Sequence, residues 1–361
     1  MKSIIIGNGI DIQFGGEDYF SKNIINRAIE NAKLKINHRY YPEQIQSHLK
    51  ELMDLAKRIL DNPTKYKEKV WKEDENPFRR FIDYYSMKKV EDCSDIGFED
   101  YFLIQKIFFN IDYDAKEGNF IERERYYEWL RKFYIDSIYN NGKVNSIEYP
   151  DKMKLFLEKF NNVFTTNYDR NLEKLTGKEV YYLHGAFHII DEKYNADSSM
   201  NKALGNKLEM GDKEYLYSTA LTTYSGTAKL EKIKRPEKIN LFLNNADKLI
   251  AENKRLGIEM PPVLKQLTDA SKECDTKYVY PNQYGYEKLK ESMEEITILG
   301  LSPINDEHIT DIIKNNFSTI NYYLFKDSQF ENNSEFIKEE FENKEVNILN
   351  VQDLWDSFVN A

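Results

Sequence analysis

Cysteine is almost missing: only Cys93 and Cys274 occur in 361 residues, far apart and in polar surroundings. That scarcity speaks against a disulfide framework and rules out a zinc knuckle made of cysteine alone. It also favours a cytoplasmic setting. Neither cysteine has a His or Cys neighbour at ligand spacing, so no metal is expected. Long apolar runs are missing too. None approaches the ~20 residues a spanning helix needs, and no secretory pattern precedes Ser3-Ile4-Ile5-Ile6-Gly7, so no membrane partner is expected. Positive charge is in deficit, with 51 Lys and Arg against 61 Asp and Glu and a formal net charge of -10 at pH 7. Such a chain does not draw in a phosphate backbone by bulk electrostatics. Its Lys-rich stretch, Lys65 to Lys72, runs straight into Glu73, Asp74 and Glu75, the pattern of a solvated face. Direct nucleic-acid binding is therefore not expected.

What remains is a globular composition, 41% hydrophobic, with 26 Tyr and 21 Phe suited to an aromatic-rich core. Short apolar runs at 2–6, 163–166, 180–183, 296–299, 320–325 and 346–349 read as strands. Helical patterns lie between them, at Glu17–Lys33, Asp169–Leu175, Asp306–Lys314, Ser334–Glu342 and Gln352–Val359. Strands alternating with helices argue for the α/β class, with one mostly parallel sheet flanked by helices. Two stretches, at about 40–150 and 195–290, interrupt this alternation and read as large helical insertions. The clearest insertion helix is Phe120–Asn140, with Tyr126, Trp129, Leu130, Phe133, Tyr134 and Ile138 on one face.

Four motifs stand at strand ends. Gly7-Asn8-Gly9-Ile10-Asp11 follows the first strand. It suits a loop whose backbone N–H groups meet a pyrophosphate, or an ordinary tight turn. Thr165-Thr166-Asn167-Tyr168-Asp169 closes the second strand; Asn167 and Asp169 are either ligand groups or caps for a helix starting near Arg170. His184-Gly185 closes the third strand, with the imidazole either structural or chemical. Gly300-Leu301-Ser302-Pro303-Ile304-Asn305-Asp306 closes the fourth. It suits a turn that holds phosphate or ribose oxygens, or a hydroxyl-stabilised turn with Asp306 as a cap.

In this order, Gly-Asn-Gly, Thr-Asn-Tyr-Asp, Leu-His-Gly and Gly-x-Ser resemble the sirtuin-like (SIR2) family, especially its bacterial NAD-hydrolysing branch in anti-phage defence. The opening Gly7-Asn8-Gly9-Ile10-Asp11-Ile12, with Gly15, Tyr19 and Phe20, and the late Gly300-x-Ser302-x-x-x-Asp306 are similar to AbiH-type abortive-infection proteins. The resemblance implies a Rossmann-like domain over 1–361, broken by the two insertions, and NAD as substrate. It implies that Asn167 and His184 act at the nicotinamide ribose. Gly7, Asn8, Gly9, Asp11, Thr166, Asp169, Gly300, Ser302 and Asp306 would bind the dinucleotide. The implied partners are further copies of the chain or a defence partner such as a HerA-like ATPase or a phage-sensing protein. The chain departs from the sirtuin pattern at Asn8, where Ala is usual. It also lacks a Pro-Asp-Phe-Arg segment and the four zinc cysteines of the protein-deacylating members. These departures weigh against an acyl-lysine substrate more than against NAD. A non-catalytic nucleotide sensor or scaffold stands as the alternative.

Overall fold

The computed structural model describes residues 1–111, 119–189, 213–221, 246–257, 283–302 and 306–359. Six strands among them form one sheet: β1 (Lys2–Ile6), β2 (Asn162–Thr165), β3 (Val180–Tyr182), β4 (Glu294–Leu299), β5 (Phe317–Leu324) and β6 (Glu345–Asn350). Their order is β3-β2-β1-β4-β5-β6, and every neighbouring pair is parallel. The architecture is thus α/β and Rossmann-like, with the strand order reversing beside β1. All the strands expected from the sequence lie in this sheet. β5 starts three positions earlier than expected, because Phe317 buries its ring directly after the helix Glu307–Asn316.

A parallel sheet is covered on both faces, which is why its central strand reads as an unbroken apolar run. Successive side chains of β1 go to opposite layers. Ile4 and Ile6 pack with Met153, Leu157, Trp355 and Phe358 from the helices Asp151–Leu157 and Val351–Val359. Ile5 packs with Phe164, Leu289, Ile309 and Ile313, and so with the helices Gln283–Glu291 and Glu307–Asn316.

The helix expected over Glu17–Lys33 is divided. The chain is already helical over Gly9–Gly15 and breaks at Gly16, whose φ of 81° favours glycine. A tight turn over Glu17–Tyr19 follows, and the helix resumes as Ser21–Ala32. Beyond it the chain leaves the sheet for a helical body containing Ile45–Asp61, Glu75–Tyr85, Asp100–Ile111 and Asn119–Tyr139. The last of these differs from its one-faced reading. Leu130, Phe133 and Tyr134 are buried, but so are Glu128, Arg131, Lys132, Asp136 and Ser137.

The reason is a segment of the second insertion, 213–221, laid along the helix's polar side. Arg131 donates to the backbone carbonyls of Leu216, Ser218, Ala220 and Leu221. Asp136 accepts from Tyr41, Lys213 and Tyr215. The two insertions therefore meet through buried polar groups. Most of the rest of 195–290, Cys274 included, lies outside the described residues. No helix among the described residues is long and apolar enough to cross a membrane.

Candidate active site

Both insertions depart from carboxyl ends of strands, β1 and β3, so they flank the edge where open α/β sheets take ligands. A cavity of about 540 Å³ opens there. Asn8, Gly9, Asp11, Thr166, Asn167, Asp169, His184, Gly300, Ser302 and Asp306 all line it. Of the expected site residues only Gly7 does not. Gly7 packs behind the cavity, where its N–H donates to Leu299 O at 2.8 Å. A Cβ on Gly7 would sit 2.5 Å from Gly300 O, and one on Gly9 would sit 2.7 Å from Gly300 Cα. These glycines let the ends of β1 and β4 cross, and Gly9 N–H is used within that crossing, bonded to Gly300 O at 3.0 Å.

Asn167 follows β2. Thr165 Oγ1 accepts from the Asn167 N–H at 3.0 Å and donates to Ile6 O at 2.9 Å, which fixes the turn against β1. The Asn167 side chain is 6% exposed. Its Nδ2 and Oδ1 are both buried without a hydrogen-bond partner among the described residues, and no other described side chain has two such atoms. It caps nothing: the following helix is Asn171–Thr176, and Asp169 Oδ1 instead takes the Asn171 N–H at 2.8 Å.

Asp169 and Asp11 are buried neighbouring carboxyl groups, and Asp11 Oδ1 accepts from Tyr149 at 2.6 Å. Burial pushes the Asp11 pKa well above the ordinary carboxyl range, and the neighbouring Asp169 charge adds to the rise. Burial also raises Asp169. Two adjacent buried carboxylates repel, so ionising one makes ionising the other harder.

His184 stands just past β3, and Gly185 turns the chain with φ 88°. A Cβ there would fall 2.0 Å from Thr219 O, and Ala186 N–H bonds Thr219 Oγ1 at 3.1 Å. The histidine loop is thereby pinned to the same 213–221 segment that Arg131 holds. His184 Nε2 lies 3.0 Å from His308 Nε2 and 3.4 Å from Asp306 Oδ1. Asp306 occupies the N-cap position of Glu307–Asn316 but makes no side-chain capping bond. Ser302 reaches the cavity, while Pro303, Ile304 and Asn305 lie outside the described residues.

Several residues at the site were not foreseen. His308 had a signal in Asp306-x-His308, two imidazole- and carboxylate-bearing positions at a helix start. Tyr149 and the aromatic edge formed by Tyr323, Phe325 and Trp355 had none. Five carboxyl groups line the cavity, Asp11, Asp18, Glu99, Asp169 and Asp306, against one guanidinium among the described residues, Arg27. Arg27 is itself bonded to Asp18 and to Ser137 O. The cavity thus offers an amide, an imidazole, several carboxyl groups and three aromatic side chains. No family model matches the chain, and neither a curated protein nor a solved structure matches it.

Proposed function

We propose that the chain binds NAD⁺ in this cleft and hydrolyses the bond between nicotinamide and ribose, giving nicotinamide, ADP-ribose and a proton. One observation carries the proposal: the Asn167 amide, buried and without a partner, faces a cavity at the carboxyl edge of a Rossmann-like sheet, with His184 lining the same cavity. Leaving a buried polar atom unpaired costs ~1–3 kcal/mol. A ligand's hydroxyls would offset that cost.

Nicotinamide leaves as a neutral molecule, so its departure calls for no strong acid and no Lewis acid. The barrier lies in forming an oxocarbenium-like ribose, which orientation and preorganised polar groups lower. Asn167 orients a ribose hydroxyl or the attacking water, and His184 accepts the proton that this hydroxyl or water releases. The carboxyl groups suit the cationic nicotinamide end. The aromatic edge suits the adenine, and the side-chain-free crossing of Gly9 and Gly300 lets the pyrophosphate pass close to the backbone. By its resemblance to defence proteins, the chain would act in the cytoplasm as an effector, held silent by self-association or a sensing partner.

The test is to incubate purified protein, with and without phage lysate, with NAD⁺ and to measure free nicotinamide. Release that stops in both Asn167→Ala and His184→Ala supports the proposal. Tight NAD⁺ binding with no release under either condition would replace it with the nucleotide-sensor reading.

A further inference from the structure

His184 and His308 lie 124 positions apart in the chain, yet their Nε2 atoms face each other at 3.0 Å. The rings are nearly parallel, 24° between planes at 5.1 Å, and Tyr286 packs 5.7 Å from the His308 ring. Asp306 brings a carboxylate oxygen to 3.4 Å from the same His184 nitrogen. One ligand-capable atom from each of the three residues lies within 4.8 Å of the other two. His308 is fully buried, and His184 and Asp306 are each 8% exposed, so packing restrains all three.

Two imidazole nitrogens this close cannot both carry a proton without strong repulsion. They cannot both point bare lone pairs at each other without repulsion either. Something positive belongs between them, a shared proton or a cation. A zinc-type ion binds His nitrogen and carboxylate oxygen at ~2.0–2.2 Å in tetrahedral geometry, which places adjacent ligand atoms about 3.3–3.6 Å apart. The His184–Asp306 separation of 3.4 Å falls in that range, and the His184–His308 separation of 3.0 Å is a few tenths of an ångström short of it. Two imidazoles and one carboxylate form a borderline nitrogen–oxygen set. It matches Zn²⁺, Co²⁺ or Ni²⁺ better than Mg²⁺ or Ca²⁺, which prefer oxygen alone.

We propose that His184, Asp306 and His308 together bind one divalent transition-metal ion of the zinc type, with its open coordination positions turned to the cleft. His184 and Asp306 both line the cavity, so the ion has a path of entry. The cysteine count excluded a cysteine-based zinc site and left this His–Asp–His set out of consideration. Metal on His184 Nε2 and proton acceptance by that atom exclude each other, so the ion marks a state in which the imidazole is withdrawn from proton transfer. The proposal itself stands apart from the NAD⁺ reading, because binding of the ion can be read without turnover.

The experiment uses the full chain after treatment with a chelator. Co²⁺ is titrated in while its visible absorption is followed, and Zn²⁺ is then titrated by calorimetry. One equivalent is expected to bind, with nitrogen-ligated Co²⁺ bands. Asp306→Asn and His308→Gln should each weaken binding by tenfold or more. His38→Gln, a histidine remote from the cleft, should leave it unchanged. Circular dichroism and melting temperature establish that each variant is folded. If His308→Gln fails to fold, the Asp306→Asn titration decides. No stoichiometric binding, or equal affinity in the wild type and the folded Asp306 and His308 variants, overturns the proposal.

Discussion

Asp136, in the helix Asn119–Tyr139, receives bonds from Tyr41, Lys213 and Tyr215, the last two from the other insertion. Asn167, just past β2, is about as deeply buried, yet its amide has no partner among the described residues. Both are polar groups withdrawn from water, and the difference lies in what completes them. At Asp136 the protein completes the buried group itself, and the two insertions are joined there. At Asn167 the amide stays open to the cavity, where the proposed ligand would complete it. Buried polar groups cost free energy unless paired, so the two residues meet the same cost in different ways.

The sharpest test of this contrast is catalytic. His184→Ala and Asn167→Ala should each lower nicotinamide release by at least ~10²-fold, the lower end of what a positioned base contributes. Single-turnover NAD⁺ assays read this directly, and a variant within twofold of wild type would break the contrast at the cleft. In the helical body the largest effect should be on stability. Asp136→Ala leaves two tyrosine hydroxyls without this acceptor and the Lys213 ammonium with Asn37 Oδ1 but no counter-charge, and a broken buried pair costs ~3–5 kcal/mol. Urea denaturation should show that loss in the midpoint, and a loss under about 1 kcal/mol would mean the two insertions are not joined there.

A third measurement sets the two regions against each other. Asn167→Ala removes an unpaired amide, so the ligand-free variant should melt at or above the wild-type temperature, by the equivalent of up to ~1–2 kcal/mol. A clear drop would show that the amide is satisfied within the protein.

A pH-dependent test in the helical body concerns Asp100, which accepts from Tyr85 at 2.8 Å. Burial raises its pKa to about 6, above the ~3.9 of an unfolded aspartate. The folded state therefore holds the proton more tightly. This contribution to stability is full below about pH 4 and is lost as pH rises through about 6. Asp100→Asn carries no such dependence, so its melting temperature should gain on the wild type between pH 4.5 and 7.5. A constant difference across that range would place the carboxyl in solvent.

Much of the site was legible because its residues stand in short local motifs. Asn167 sits after Val163-Phe164-Thr165, His184 after Val180-Tyr181-Tyr182-Leu183, and Ser302 after Ile298-Leu299-Gly300. A β-branched or aromatic run ending in polar residues marks the carboxyl end of a strand. In a parallel sheet all such ends lie on one edge. His308 and Tyr149 escaped the same reading. Each earns its place through a partner 124 or 138 positions away, and no window of sequence holds both members. The burial of polar residues between 128 and 137 on the helix Asn119–Tyr139 escaped for a related reason. Its polar side is covered by 213–221, and a one-faced aromatic stripe says nothing about what lies against the opposite face.

By itself the sequence determined the class of the fold, the edge on which the motifs gather and the want of cysteine chemistry, because periodicity and composition are local properties. Only the tertiary structure decided that Asp11 is buried beside Asp169, that Asp306 turns from capping toward His184, and that His308 faces the same nitrogen. Each depends on the strand order β3-β2-β1-β4, which lays the end of β4 beside β1 and brings the helix after it across to β3. That order is set by which apolar faces bury together in the folded chain.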